Sequence, residues 1–179
     1  MVPQINTIVY ATGLGTGAPH VFRYALSLAR QYNAKIDIVC GLAPISAQAQ
    51  QIADTYLGDK MSEEFHRQAR ERVKDEVRRQ VEAMCRSAAV DDPEGYQFVN
   101  SINVIQDAPD RAVLQCSKDV NADVIVMGTH RRTMDVGAAL GSCAVKVLHQ
   151  TTIPVLLVKI PEGYSDLPSK SGAPEIVSF

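Results

Sequence analysis

The chain has 179 residues, which fits one domain or one domain with a tail. Hydrophobic residues make up 46% and charged residues 21%, and 18 basic against 20 acidic residues leave a formal net charge of -2. That balance excludes a global pull toward nucleic acid or an anionic membrane and describes an ordinary globular composition.

The N-terminal stretch MVPQINTIVY has no basic region followed by a long apolar one, and no apolar run approaches the roughly 20 residues that span a bilayer. The expectation is a cytoplasmic protein with no membrane insertion. Cys40, Cys85, Cys116 and Cys143 lie far apart, with no Cys-x-x-Cys pair, and read as reduced thiols inside strands and helices.

Ile5 to Thr12 is a β-branched run ending at glycines and predicts the first strand. Ala18 to Asn33 predicts a helix: Val21, Tyr24, Ala25, Leu28 and Ala29 recur at helical spacing, and Pro19 suits its first turn. Lys35 to Gly41 is the second strand. Between Leu42 and Lys60, Ala47 to Tyr56 is compatible with a short helix. Met61 to Ala89 predicts a long amphipathic helix, with an apolar stripe that includes Phe65, Ala69, Val73, Val77 and Val81. Ser62 is its expected cap, and Glu63–Arg67 and Asp75–Arg79 are expected i,i+4 pairs.

Gln97 to Ile105 alternates as a strand, with Phe98, Ile102 and Val104 inward. Pro109 to Val120 predicts a helix with Asp107 and Asp110 near its positive end. Asp123 to Gly128 is a short apolar run, the pattern of a strand buried on both faces. Val136 to His149 predicts the last helix and Thr152 to Ile160 the last strand, where Pro154 fits a strand start or an edge. Residues 1–160 thus form the predicted α/β domain. Residues 161–179, rich in Pro, Ser and Gly from Ser165 onward, form a loosely held tail.

Strands alternating with helices imply a five-stranded parallel sheet with helices on both faces and right-handed crossovers, a Rossmann-like architecture. Ligands of such sheets lie outside the carboxyl ends of the strands, where the strand order reverses. Two glycine loops fall there. Gly13-Leu14-Gly15-Thr16-Gly17-Ala18 fits the G-x-G-x-x-G/A dinucleotide pattern. The acidic residue such a site wants at the end of strand two is missing, since that end reads Cys40-Gly41-Leu42 and Asp37 lies mid-strand. A plain turn is the competing reading. In the second loop, Gly128 closes strand four, and Gly141 and Ser142 lie at the start of the last helix or one turn inside it. Backbone N–H groups and a hydroxyl there suit phosphate oxygens. A turn glycine and a helix-packing glycine account for the same spacing.

The segment VIVMGTHRRTMDVGAALGSCAVKVLHQTTIPVLLV resembles the C-terminal signature of the universal stress protein family: Gly, two residues, Gly, nine residues, Gly, then Ser or Thr, followed by a helix and a Pro-containing strand. Gly128, Gly141 and Ser142 match in register, and the likeness covers roughly residues 5 to 160. The resemblance implies an adenine nucleotide alpha hydrolase-like fold and a non-catalytic stress-response homodimer, joined through the last strand around Pro154, Leu156 and Val158. It also implies a nucleotide site built from Thr12, Gly13, Gly41, Met127, Gly128, Thr129, Arg131, Gly141, Ser142 and Cys143. Some family members bind ATP and others do not. The implied ligand is ATP or AMP, with no metal beyond the magnesium that accompanies such a nucleotide. Three positions depart from the ATP binders: Gly13 stands where they carry Asp, Gly41 where they carry Val, and Arg131 where they carry a second loop glycine. An adaptor module that has lost its ligand is the alternative, acting with a regulatory protein partner.

His20, His66, His130 and His149 lack metal-ligand spacing. No G-x-S-x-G elbow and no phosphate-binding G-x-x-x-x-G-K-[ST] occurs, and Ser142 has no base fixed beside it by sequence.

Overall fold

The computed structural model describes residues 2–44, 51, 59–90, 92, 94–129, 140–161 and 163–164. Apart from Gln51, the expected helix over 47–56 lies outside them, as does the tail beyond 164. Five strands, β1 (Thr7–Ala11), β2 (Lys35–Gly41), β3 (Val99–Ile105), β4 (Val124–Thr129) and β5 (Val155–Lys159), pair in parallel in the order β3-β2-β1-β4-β5. The described helices are α1 (Ala18–Tyr32), α2 (Asp59–Ala88), α3 (Pro109–Asp119) and α4 (Ser142–Gln150). The strand order reverses between β1 and β4, where Ile8 to Ala11 run beside Val124 to Met127.

Alternation along the strands divides the core. Ile8, Tyr10, Ile36 and Ile38 pack against Phe22 of α1 and against Val81 and Cys85 of α2. Val9, Val39, Ile125 and Met127 meet Val113 and Cys116 of α3 and Val147 of α4 on the other face. Helices thus cover both faces, as the alternation predicts.

Several local expectations are corrected. Ile5 and Asn6 precede β1. The Asp123 carboxylate, itself outside β4, accepts the backbone N–H groups of Asn6 at 2.7 Å and Thr7 at 2.9 Å. Gly95–Phe98 is a 3₁₀ turn, so β3 begins at Val99 and not at Gln97. Helix α4 begins at Ser142, because Gly141 is its N-cap with an extended ψ of 151°. The earlier start expected at Val136 lies outside the described residues. Pro154 precedes β5 and gives its carbonyl to the N–H of Ile125 at 2.9 Å.

Helix α2 starts at Asp59, which places Ser62 inside it rather than at its cap. Glu64, not Glu63, pairs with Arg67 at 2.6 Å, Asp75 pairs with Arg78, and Glu76 with Arg79. These are i,i+3 pairs, a spacing helix geometry allows equally with i,i+4. Phe65 is 57% exposed and Val73 53%, while Val81, Cys85 and Ala88 are buried. The long stripe is therefore covered only toward its C-terminal end. Tyr24 is likewise exposed, and Phe22 and Leu26 take core places on α1.

Candidate functional site

A crevice of about 310 Å³ opens at the carboxyl ends of β1 and β4, the position at which open α/β sheets hold ligands. Ala11, Thr12 and Gly13 form its wall along β1, and Met127 and Gly128 along β4. Gly41 with Pro109 and Val113 of α3 close one side, Cys143 of α4 borders another, and Val21 with Ile160 lines the α1 side.

The β1 loop is held locally. Thr12 N–H donates to Val39 O at 2.9 Å, and Leu14 N–H donates to Thr12 Oγ1 at 3.3 Å. The left-handed residue of this turn is Leu14, at φ 58°, and not one of its glycines. Tyr10 is fully buried and its hydroxyl donates to Ala18 O at 2.7 Å, which ties the crevice floor to the first turn of α1. Burial pushes the Tyr10 phenol far above its usual range.

The glycines in and around the crevice have different causes. A Cβ at Gly41 would lie 2.6 Å from Pro109 Cα, so this glycine lets the start of α3 press onto the end of β2. A Cβ at Gly128 would lie 2.8 Å from Val21 Cγ2 and 3.1 Å from Ile160 Cδ1, and one at Gly17 2.5 Å from Ile160 Cδ1. The space a Cβ would take at Gly128 is thus filled by this chain's own side chains, while the residue also lines the crevice. At Gly13 and Gly141 a Cβ would meet nothing within 4 Å.

No described lining residue is charged. The first turns of three helices reach the lining, at Ala18 of α1, Pro109 of α3 and Cys143 of α4. Gly141 caps α4 with no side-chain hydrogen bond, and the first intrahelical bond runs from Val145 N–H to Gly141 O at 3.1 Å. The earlier N–H groups of α4 have no helical acceptor and carry the positive end of the helix dipole. Cys143 lies on this turn, half-buried. Burial pushes its thiol up, Asp110 adds to the rise, and Lys146 opposes it. Lys146 approaches Asp110 at 3.7 Å.

Of the expected site residues, Thr12, Gly13, Gly41, Met127, Gly128 and Cys143 come together in the lining. Thr129 is buried in register with Lys159 of β5, away from the crevice, and Gly141 and Ser142 stand at the helix start without lining it. Arg131 lies outside the described residues. Sequence reasoning missed Pro109, Val113, Val21 and Ile160, whose positions depend on long-range packing. Asp37 is buried mid-strand, as expected, and accepts from Asn100 Nδ2 at 2.8 Å and Ser101 Oγ at 2.5 Å. It offers no acid to the crevice. Among the described residues no group of three His, Cys, Asp or Glu could hold a metal ion, and no helix is long and apolar enough to cross a membrane.

A family model described as the universal stress protein family matches residues 4–159. The chain belongs to this family. Solved structures carry the same fold. Hypothetical protein MJ0577 is similar at 15% identity with a TM-score of 0.61, over 89% of this chain and 99% of that one. A universal stress protein in complex with cAMP is 20% identical with a TM-score of 0.57, over 88% and 98%. The universal stress protein UspA from Lactobacillus plantarum is 15% identical with a TM-score of 0.54, over 88% and 99%. No curated protein matches the chain. The five-stranded parallel sheet with helices on both faces is the fold these universal stress proteins share with it.

Proposed function

We propose that this universal stress protein is a regulatory, non-catalytic binder of an adenine mononucleotide, AMP in type, that acts as a homodimer in a stress response. The observation that carries the reading is the crevice at the reversal of strand order, apolar along its walls and bordered by the open N-terminus of α4. Its volume of about 310 Å³ lies at the low end for small-molecule sites, roughly 300–1,000 Å³, which favours a mononucleotide over a dinucleotide. The base would rest against Met127, Val39 and Pro109, and the phosphate at the first turn of α4. A similar universal stress protein has been solved with cAMP, which supports a ligand of this class. ATP is the larger candidate, with its accompanying magnesium.

Dimerisation is proposed through β5, which pairs only with β4 among the described strands. Its free edge, with Leu156 and Val158 turned to one face and Pro154 at its start, would meet the same edge of a second copy. A cytoplasmic setting fits four free cysteines, of which Cys40, Cys85 and Cys116 are buried.

Calorimetric titration with AMP and ATP tests the reading: saturable heat is expected, and no heat at millimolar ligand defeats it. The second reading, an adaptor that has lost its ligand, is favoured by Pro109 and Ile160 filling the space beside Gly41, Gly17 and Gly128. Nucleotide absorbance released on denaturing the purified protein would end that reading.

A further inference from the structure

We propose that the groove between α2 and the end of β2 docks an acidic amphipathic segment of a partner protein. Helix α2 has 30 residues, about 45 Å at 1.5 Å per residue. The longest strands have seven, about 23 Å. Its N-terminal part therefore overhangs the sheet. Phe65, Ala69 and Val73, four residues apart, form one apolar stripe there, and Phe65 and Val73 are more than half exposed. Beside the stripe lies a groove of about 200 Å³, walled by Ala69, Arg70, Val73 and Lys74 on α2 and by Leu42 and Ala43 after β2. That volume admits one or two apolar anchors.

The charges select the occupant. Arg67, Arg78, Arg79 and Arg86 each pair with a carboxylate on α2, and Lys74 meets Glu71 at 3.1 Å. Arg70 and Arg72 have no hydrogen bond or ion pair among the described residues, and of the two only Arg70 stands half-buried in the groove wall, Arg72 being exposed. A guanidinium so placed is best answered by a carboxylate that comes with the apolar anchor. A second copy fits less well. Antiparallel pairing of two α2 stripes about Ala69 brings the two Arg70 groups together near the axis, like charge against like. In the chain, Leu42 and Ala43 of the groove directly follow Gly41 of the crevice. Nothing in the docking reading depends on a nucleotide being bound.

The experiment is a heteronuclear NMR titration of the full chain with two synthetic helical peptides. Both carry leucines four residues apart; one is flanked by glutamates and the other by lysines. The expected result is shifted amides at Ala43, Ala69 and Val73 with the glutamate peptide, bound about tenfold more tightly than its lysine counterpart. Arg70→Glu should reverse that preference, and the milder Arg70→Gln should abolish it without reversal. Equal affinities, shifts confined elsewhere, or a preference untouched by both variants would overturn the proposal. So would a sedimentation mass that falls on Val73→Glu, which would assign the groove to a second copy.

Discussion

Gly41 and Gly13 both stand at the carboxyl ends of neighbouring strands, and both line the crevice. Only one of them is there because of what touches it. Gly41 is pressed by the backbone of Pro109, whereas Gly13 faces open space. Gly17 and Gly128 side with Gly41, their missing Cβ atoms replaced by Ile160 and Val21. One side of the crevice is thus built by close packing, and the other is left free to take a side chain or a ligand. Glycine in a binding loop is evidence of a binding role only where nothing in the fold already uses the vacancy.

The sharpest way to break this contrast is Gly41→Val. The added Cβ would sit 2.6 Å from Pro109 Cα and 3.1 Å from Ala112 Cβ, so α3 itself must shift. A loss of about 3 kcal/mol is expected, at the upper end of ordinary overpacking. Urea denaturation reads it as a lowered midpoint with an unchanged slope. Gly128→Ala should cost less, about 1–2 kcal/mol, because the atoms it meets are side-chain ends at Val21 and Ile160. A cost at Gly41 no larger than at Gly128 would undo the distinction between backbone and side-chain contact.

Gly17→Ala should cost about as much as Gly128→Ala and should depend on Ile160 alone, whose Cδ1, Cγ2 and Cγ1 all lie within 2.8 Å of the new Cβ. In an Ile160→Ala background the substitution should be nearly neutral. The double-mutant cycle should then return a coupling of about 1 kcal/mol. Additive costs would mean that Gly17 answers to something other than Ile160.

The sequence carried the order of strands and helices plainly, because β-branched runs and helical periodicity report on local burial. The strand order that places β1 beside β4 was not legible in this way, because alternation and right-handed crossovers predict parallel pairing without saying which strands are neighbours. Periodicity misled at Phe65 and Val73, since it marks the apolar face of α2 without saying how far the sheet extends beneath it. It also misplaced Tyr24, which shares spacing with core residues yet faces outward. At the site, Thr12, Met127, Gly128 and Cys143 were legible because each lies on or next to a glycine-marked strand end or helix start. Pro109, Val113 and Ile160 were not, because they reach the crevice only through packing between elements distant in the chain.

Gly13→Ala sets the other pole of the comparison. A Cβ there meets nothing within 4 Å, and the backbone is not in the left-handed region, which this turn assigns to Leu14. Stability should change by less than about 0.5 kcal/mol, or rise slightly as the unfolded chain loses freedom. The same vacancy makes Gly13→Asp structurally permissible, and that variant separates fold from binding. It should leave the urea midpoint in place while bringing a carboxylate to the mouth of the crevice. If the crevice holds a nucleoside with free ribose hydroxyls, the added acceptor should tighten AMP measurably in calorimetry. If the phosphate occupies that end instead, the like charge should weaken binding. A midpoint that drops with either substitution would show that the open side of the crevice is packed after all, and the contrast with Gly41 would vanish.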